Sequence, residues 1–129
     1  MKNKNYKIPK FVIDWTDKYF HQSAFDIPLR FPGKRAIGFL IKFRKEEKIK
    51  LYRGVNKYNE KNYTGVKSWT YDKEIAGNYM AEGGKIVEKV LSPSEVLLDT
   101  TLLSNEHKKL LGYDYKIDDM EVLIISNNN

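Results

Sequence analysis

Apolar residues recur every four positions near the start of the chain, at Phe11, Trp15 and Tyr19, with Val12 and Phe20 beside them. That spacing lays one apolar stripe along a helix and predicts α-structure over about 10–23, with Pro9 fitting the first turn. The stretch from Ile27-Pro28 to Phe31-Pro32-Gly33 reads as a loop. Over 36–44, Ile37, Leu40 and Ile41 share a helical face, which favours a second helix. The period then changes. Residues 49–53 alternate as a strand does, 56–63 are polar as a loop is, and 65–70 form another short strand pattern. Asp72 is placed to cap a helix running to about Met80, with Ile75, Ala76 and Tyr79 on its inner face. Gly83-Gly84 ends that helix. Two strand patterns follow, 85–91 and 95–98, separated by Ser92-Pro93-Ser94. Ser104 caps a short helix that stops at Gly112, and 121–125 is a continuous apolar strand behind an acidic loop.

Helices come first and a strand-rich half with helical insertions follows, an order that predicts an α+β domain rather than a doubly wound sheet. With 129 residues the chain is expected to form one domain, a helical part over 1–48 and a strand-rich core over 49–126. Its 41% hydrophobic content suffices for a packed core and is too high for a disordered chain. The lack of cysteine excludes disulfide scaffolds, zinc ribbons and a thiol nucleophile. No apolar run reaches the roughly 20 residues of a membrane span, and no apolar signal segment is visible near the start. The expectation is a cytoplasmic monomer with no membrane partner.

Charge is unevenly spread. Residues 1–58 hold 15 basic and 5 acidic side chains, whereas 59–129 hold 8 and 12. A basic half suits an anionic partner: a phosphate-bearing ligand, nucleic acid or an acidic protein face, with Lys42, Arg44, Lys45, Lys48 and Lys50 as contacts. The alternative is a lysine-rich surface that serves solubility. His21 and His107 lie far apart with no carboxylate at ligand spacing, so they are expected to be exposed helix histidines and no metal is expected. No G-x-S-x-G, Walker loop or Rossmann glycine pattern occurs.

Three short segments carry candidate chemistry. In Leu51-Tyr52-Arg53-Gly54 an arginine at a strand end is followed by a glycine, so a guanidinium can reach a phosphate where the backbone approaches a ligand closely. In Ser68-Trp69-Thr70 the two hydroxyls share one strand face, with Trp69 on the other. In Asp119-Met120-Glu121 two carboxylates two residues apart open a core strand and point to one face. Each has a plain structural explanation on its own: an exposed strand arginine, ordinary strand-end hydroxyls, a solvated acidic loop.

Together and in this order they resemble the arginine–serine–glutamate class of mono-ADP-ribosyltransferases, over residues 51–125. The class using histidine in the first motif is not favoured, because Arg53 stands at that position. The resemblance implies a split antiparallel β-sheet sandwich with N-terminal helices around a cleft for NAD, the ADP-ribose donor. It implies Glu121, Ser68 and Arg53 as catalytic residues, and Arg53, Gly54, Ser68, Thr70 and Tyr79 as NAD-binding. On this reading Glu121 opposes the cation that develops on the ribose, and Ser68 holds Glu121 with support from Thr70. Arg53 clamps the pyrophosphate, and the Gly54 backbone recognises the nicotinamide amide. Tyr79 stacks on the nicotinamide ring or lies in the core of its helix. Asp119, Tyr113 and Tyr115 would meet a macromolecular acceptor, protein or nucleic acid; for the tyrosines the alternative is a plain exposed loop. One departure is Asp119, where most transferases of the class carry Glu or Gln; the shorter side chain bears on the acceptor more than on NAD. The competing functions are a non-catalytic basic binding module and an NAD glycohydrolase with water as acceptor.

Overall fold

The computed structural model describes residues 7–21, 31–55, 66–80, 84–113 and 119–125. Its elements run in the order α1 (Lys10–Phe20), α2 (Lys34–Leu40), β1 (Ile49–Val55), β2 (Val66–Thr70), α3 (Lys73–Asn78), β3 (Lys85–Leu91), β4 (Val96–Asp99), α4 (Asn105–Leu110) and β5 (Glu121–Ile125). This is an α+β architecture, and among the described residues its five strands form an antiparallel sheet in the order β3-β1-β2-β5-β4.

Local sequence accounts for most of the element boundaries. The Phe11/Trp15/Tyr19 stripe becomes α1, which buries Val12, Trp15 and Thr16. The helix closes at Phe20, with His21 turning out of helical geometry, three residues short of the expected end. The second helix is shorter and earlier than expected. It starts after Gly33 and stops at Leu40, because Lys42 and Phe43 bond back to Phe39 and Leu40 in tighter turns. Asp72 caps α3 by accepting from the Glu74 N–H, and Ser104 caps α4 by accepting from the His107 N–H. Between β3 and β4 the Ser92 hydroxyl and Glu95 carboxylate complete a capping box on a short 3₁₀ turn. After α4 the chain turns at Gly112 with φ +85°, a conformation in which an added Cβ would also lie 2.5 Å from Asp17 Oδ1.

The sheet is nearly divided. β1 pairs with β3 along seven residues and β2 with β5 along five, but β1 and β2 meet at the single pair Tyr52–Thr70. In place of the two packed sheets of the expected sandwich, the described strands form one five-stranded sheet with a weak join between β1 and β2. One core cluster draws on both sides of that join: Ile49, Leu51 and Leu91 from β1 and β3, Trp69, Val122, Ile124 and Val96 from β2, β5 and β4. The second cluster lies on the other face of β2 and β5, where Val66 and Leu123 pack with Leu97, Leu98 and Leu111 under α1 and α2. The apolar run of β5 follows from this. Val122 and Ile124 enter one cluster while Leu123 and Ile125 contact the other, so neither face is left polar. Across the β2–β5 ladder Thr70 lies opposite Glu121 and Ser68 opposite Leu123, which puts Ser68 diagonal to Glu121.

Candidate functional site

The weak join between β1 and β2 makes the site. One residue beyond the Tyr52–Thr70 pair, the strands no longer pair, and Arg53 crosses the opening to donate from Nη1 to the Ser68 carbonyl at 2.8 Å. Glu121 starts the neighbouring strand, and the Ser68 hydroxyl donates to its carboxylate. Three side chains separated by up to 68 positions in the chain thus share one spot.

Their electrostatics reflect shared burial. Removal from water pushes the Glu121 carboxyl up to about 7, and the neighbouring Asp119 charge adds to the rise. The Ser68 hydrogen bond and the Arg53 charge act against it without cancelling it. Arg53 is itself pulled below the ordinary arginine value by loss of water, opposed by Tyr19 and Glu121. A guanidinium and a carboxyl are therefore both held partly out of water, an arrangement with a desolvation cost.

Sequence spacing did not identify Tyr19 as a site residue. Its hydroxyl lies 2.6 Å from Ser68 Oγ, bringing α1 into the site. The ring stacks on Trp15 at 5.2 Å and meets Phe20 edge-on at 5.6 Å. Burial, then the Glu121 charge, drives the phenol well above its ordinary ionisation range. As a member of an apolar helical stripe Tyr19 looked like core; only its hydroxyl signalled a possible polar partner.

The segment before β5 is built less regularly than a strand. Met120 has φ +48°, left-handed backbone for a non-glycine residue, so strand alternation does not carry Asp119 and Glu121 to one face. Asp119 is placed by its neighbours instead. Its N–H donates to the Tyr113 hydroxyl at 3.1 Å, its carbonyl accepts from Thr70 Oγ1 at 2.7 Å, and its carboxylate accepts from the Tyr79 hydroxyl. Asp119 and Glu121 are still close enough for each charge to raise the Tyr79 phenol further, after burial and the Asp119 hydrogen bond.

Three expectations change in role. Thr70 is buried, and its hydroxyl donates to Asp119 and accepts from the Asp72 N–H at 3.1 Å, so it ties β2 to the Asp119 segment rather than facing a cofactor. Tyr113 is 6% exposed, with its ring against Phe20 at 5.0 Å, and so positions Asp119 from below instead of contacting an acceptor. Gly54 is buried where α3 crosses β1; an added Cβ would lie 2.0 Å from the Ala76 carbonyl oxygen. Helix packing by itself requires that glycine. Tyr79 is half exposed at the rim and not a core residue. Tyr115 lies outside the described residues.

His107 is buried, its ring edge-on to Phe43 at 6.0 Å, contrary to the expected exposure, because α4 turns that face toward the helical layer. His21 is exposed and pairs with Asp17 at 3.1 Å. Among the described residues no group of three His, Asp or Glu is arranged to hold a metal, and no helix is long and apolar enough to cross a membrane. Part of the basic stretch has local partners. Lys42 stands over the Phe39 ring at 5.0 Å, Lys45 over Tyr71 at 4.7 Å, and Lys50 pairs with Glu88 at 3.5 Å. Comparison of the chain with protein-family models, curated proteins and solved structures finds no match.

Proposed function

We propose that this protein is an NAD-dependent mono-ADP-ribosyltransferase, which breaks the bond between nicotinamide and ribose and passes ADP-ribose to a macromolecular acceptor. The observation that carries the reading is the meeting of Arg53, Ser68 and Glu121 at the point where β1 and β2 part. A simple binder has no need to hold a carboxyl and a guanidinium together out of water.

Nicotinamide departs as a neutral group and leaves positive charge on the ribose, as in glycoside cleavage. A fixed carboxylate lowers that barrier because its attraction grows as the cation forms. Glu121 supplies the charge and Ser68 fixes its direction. The planar guanidinium of Arg53 suits the diphosphate of NAD, and its partial desolvation strengthens attraction to an anion. Tyr79, half exposed beside Asp119, offers a ring on which nicotinamide stacks. Asp119 stands at the rim, where an acceptor nucleophile would approach.

The test is incubation with adenine-labelled NAD and a whole-cell lysate, following nicotinamide release and label on macromolecules together. Transfer is expected in both channels. Release without macromolecular label assigns the glycohydrolase reaction to the same residues. Intact NAD after prolonged incubation overturns the proposal and leaves the basic binding module as the better account.

A further inference from the structure

The hydroxyl that meets Ser68 from α1 goes beyond this reading of the site. We infer that Tyr19 is a positioning residue: it donates to Ser68 Oγ, so that the Ser68 hydrogen is directed to the Glu121 carboxylate and α1 becomes a working part of the site.

Hydrogen counting fixes the direction. A serine hydroxyl has one hydrogen and two acceptor lone pairs, and an ionised carboxylate only accepts. With Glu121 ionised, the Ser68 hydrogen goes to Glu121, and the 2.6 Å contact is made by the Tyr19 hydrogen. The phenol remains protonated through neutral and mildly alkaline conditions, since burial and the Glu121 charge both oppose its ionisation. It is therefore a permanent donor. Its aim is fixed by the stack on Trp15 and the edge contact with Phe20. A serine that accepts while it donates is a better donor, because the two bonds polarise each other. Among the described residues, the groups that act on the Glu121 carboxyl or feel its charge fit the scheme. Ser68 from β2 and Arg53 from β1 favour its charge; Asp119 opposes it; Tyr79 at the C-terminal cap of α3 and Tyr19 on α1 both feel it.

The experiment is a carbon-13 NMR titration of the Glu121 side-chain carboxyl in the wild type, Tyr19→Phe, Ser68→Ala and the double variant. Tyr19→Phe keeps the ring and its stacking. It is expected to move the Glu121 midpoint upward by about half to one pH unit, the equivalent of one modest hydrogen bond. In the Ser68→Ala background the same substitution is expected to add nothing, because the effect passes through Ser68. A purely structural tyrosine would lower thermal stability and leave the titration in place. An unmoved midpoint in Tyr19→Phe, or equal shifts with and without Ser68, overturns the inference. Should Tyr19→Phe not fold, the Tyr19 hydroxyl proton decides. It is expected to exchange slowly in the wild type and rapidly in Ser68→Ala; equal exchange overturns the inference. The catalytic consequence of the relay rests on the transferase reading, and about twofold to fivefold slower nicotinamide release at neutral pH is expected in Tyr19→Phe, following the smaller ionised fraction of Glu121. A wild type that leaves NAD intact defeats that reading alone, since the titration is measured without NAD.

Discussion

Replacing Glu121 with glutamine should make the protein more stable in alkaline solution while sharply slowing the proposed nicotinamide release. Glutamine keeps the size of the side chain and can still accept from Ser68, but it carries no charge to desolvate. A carboxyl that ordinarily ionises at 4.5 is pushed up to about 7. At about 1.4 kcal/mol per tenfold, the folded protein therefore opposes ionisation of Glu121 by about 3 kcal/mol. Because the folded value is the higher one, the folded state binds this proton more tightly than the unfolded chain. The resulting stability is fully present below pH 4.5 and is lost as pH rises through about 7. Wild type and Glu121→Gln should thus have similar stability near pH 4.5, and at pH 8.5 the variant should lead by about 2–3 kcal/mol, or roughly 10 °C in Tm for a domain of this size. Urea unfolding of both proteins at the two pH values isolates the effect, since every other titrating group is common to both. Nicotinamide release should fall by about 10²–10³ in the same variant, as expected when one partner of a developing charge is removed. A functional group held at a cost to stability would show itself by these opposite changes. If Glu121→Gln were no more stable than wild type at pH 8.5, the carboxyl would not be held out of water and the reasoning would fail. Full nicotinamide release in that variant would remove Glu121 from the proposed chemistry.

Arg53→Ala should weaken NAD binding by about 1.5–3 kcal/mol, the worth of a charge-assisted contact, and titration calorimetry against the intact protein checks this. The rate of nicotinamide release at low NAD should climb with pH through about 7, as Glu121 becomes the anion that opposes the ribose cation; a flat profile between pH 5 and 9 would contradict that role. Gly54→Ala should destabilise the fold by about 1–3 kcal/mol or more, because the new methyl meets the Ala76 carbonyl and the Met80 amide, backbone atoms that yield only if α3 lifts from β1. An unchanged Tm in Gly54→Ala would show that this crossing is not tightly packed.

Elements governed by near neighbours were readable from the chain alone. The four-residue spacing of Phe11, Trp15 and Tyr19 dictated α1, and Asp72, Ser104 and Gly112 marked helix ends because caps and left-handed turns are local hydrogen-bonding and steric matters. The run Val122 to Ile124 announced a strand, and the packed chain buries it on both faces. The three short motifs named Arg53, Ser68 and Glu121 as candidates. Spacing could not say that these residues meet, since that depends on the β3-β1-β2-β5-β4 order and on a β1–β2 join of one pair. Nor could spacing give Met120 its left-handed backbone, bury Tyr113, or bond Thr70 to the Asp119 carbonyl. Tyr19 is the clearest case. The helical period fixed the face of α1 on which it lies, but the partner of its hydroxyl is Ser68, 49 residues away, and the reluctance of Glu121 to ionise comes from water excluded by several elements at once. Periodicity and capping act over a few residues and are written in the sequence. Desolvation and the pairing of distant polar groups belong to the packed chain, because only packing decides which groups lose water together.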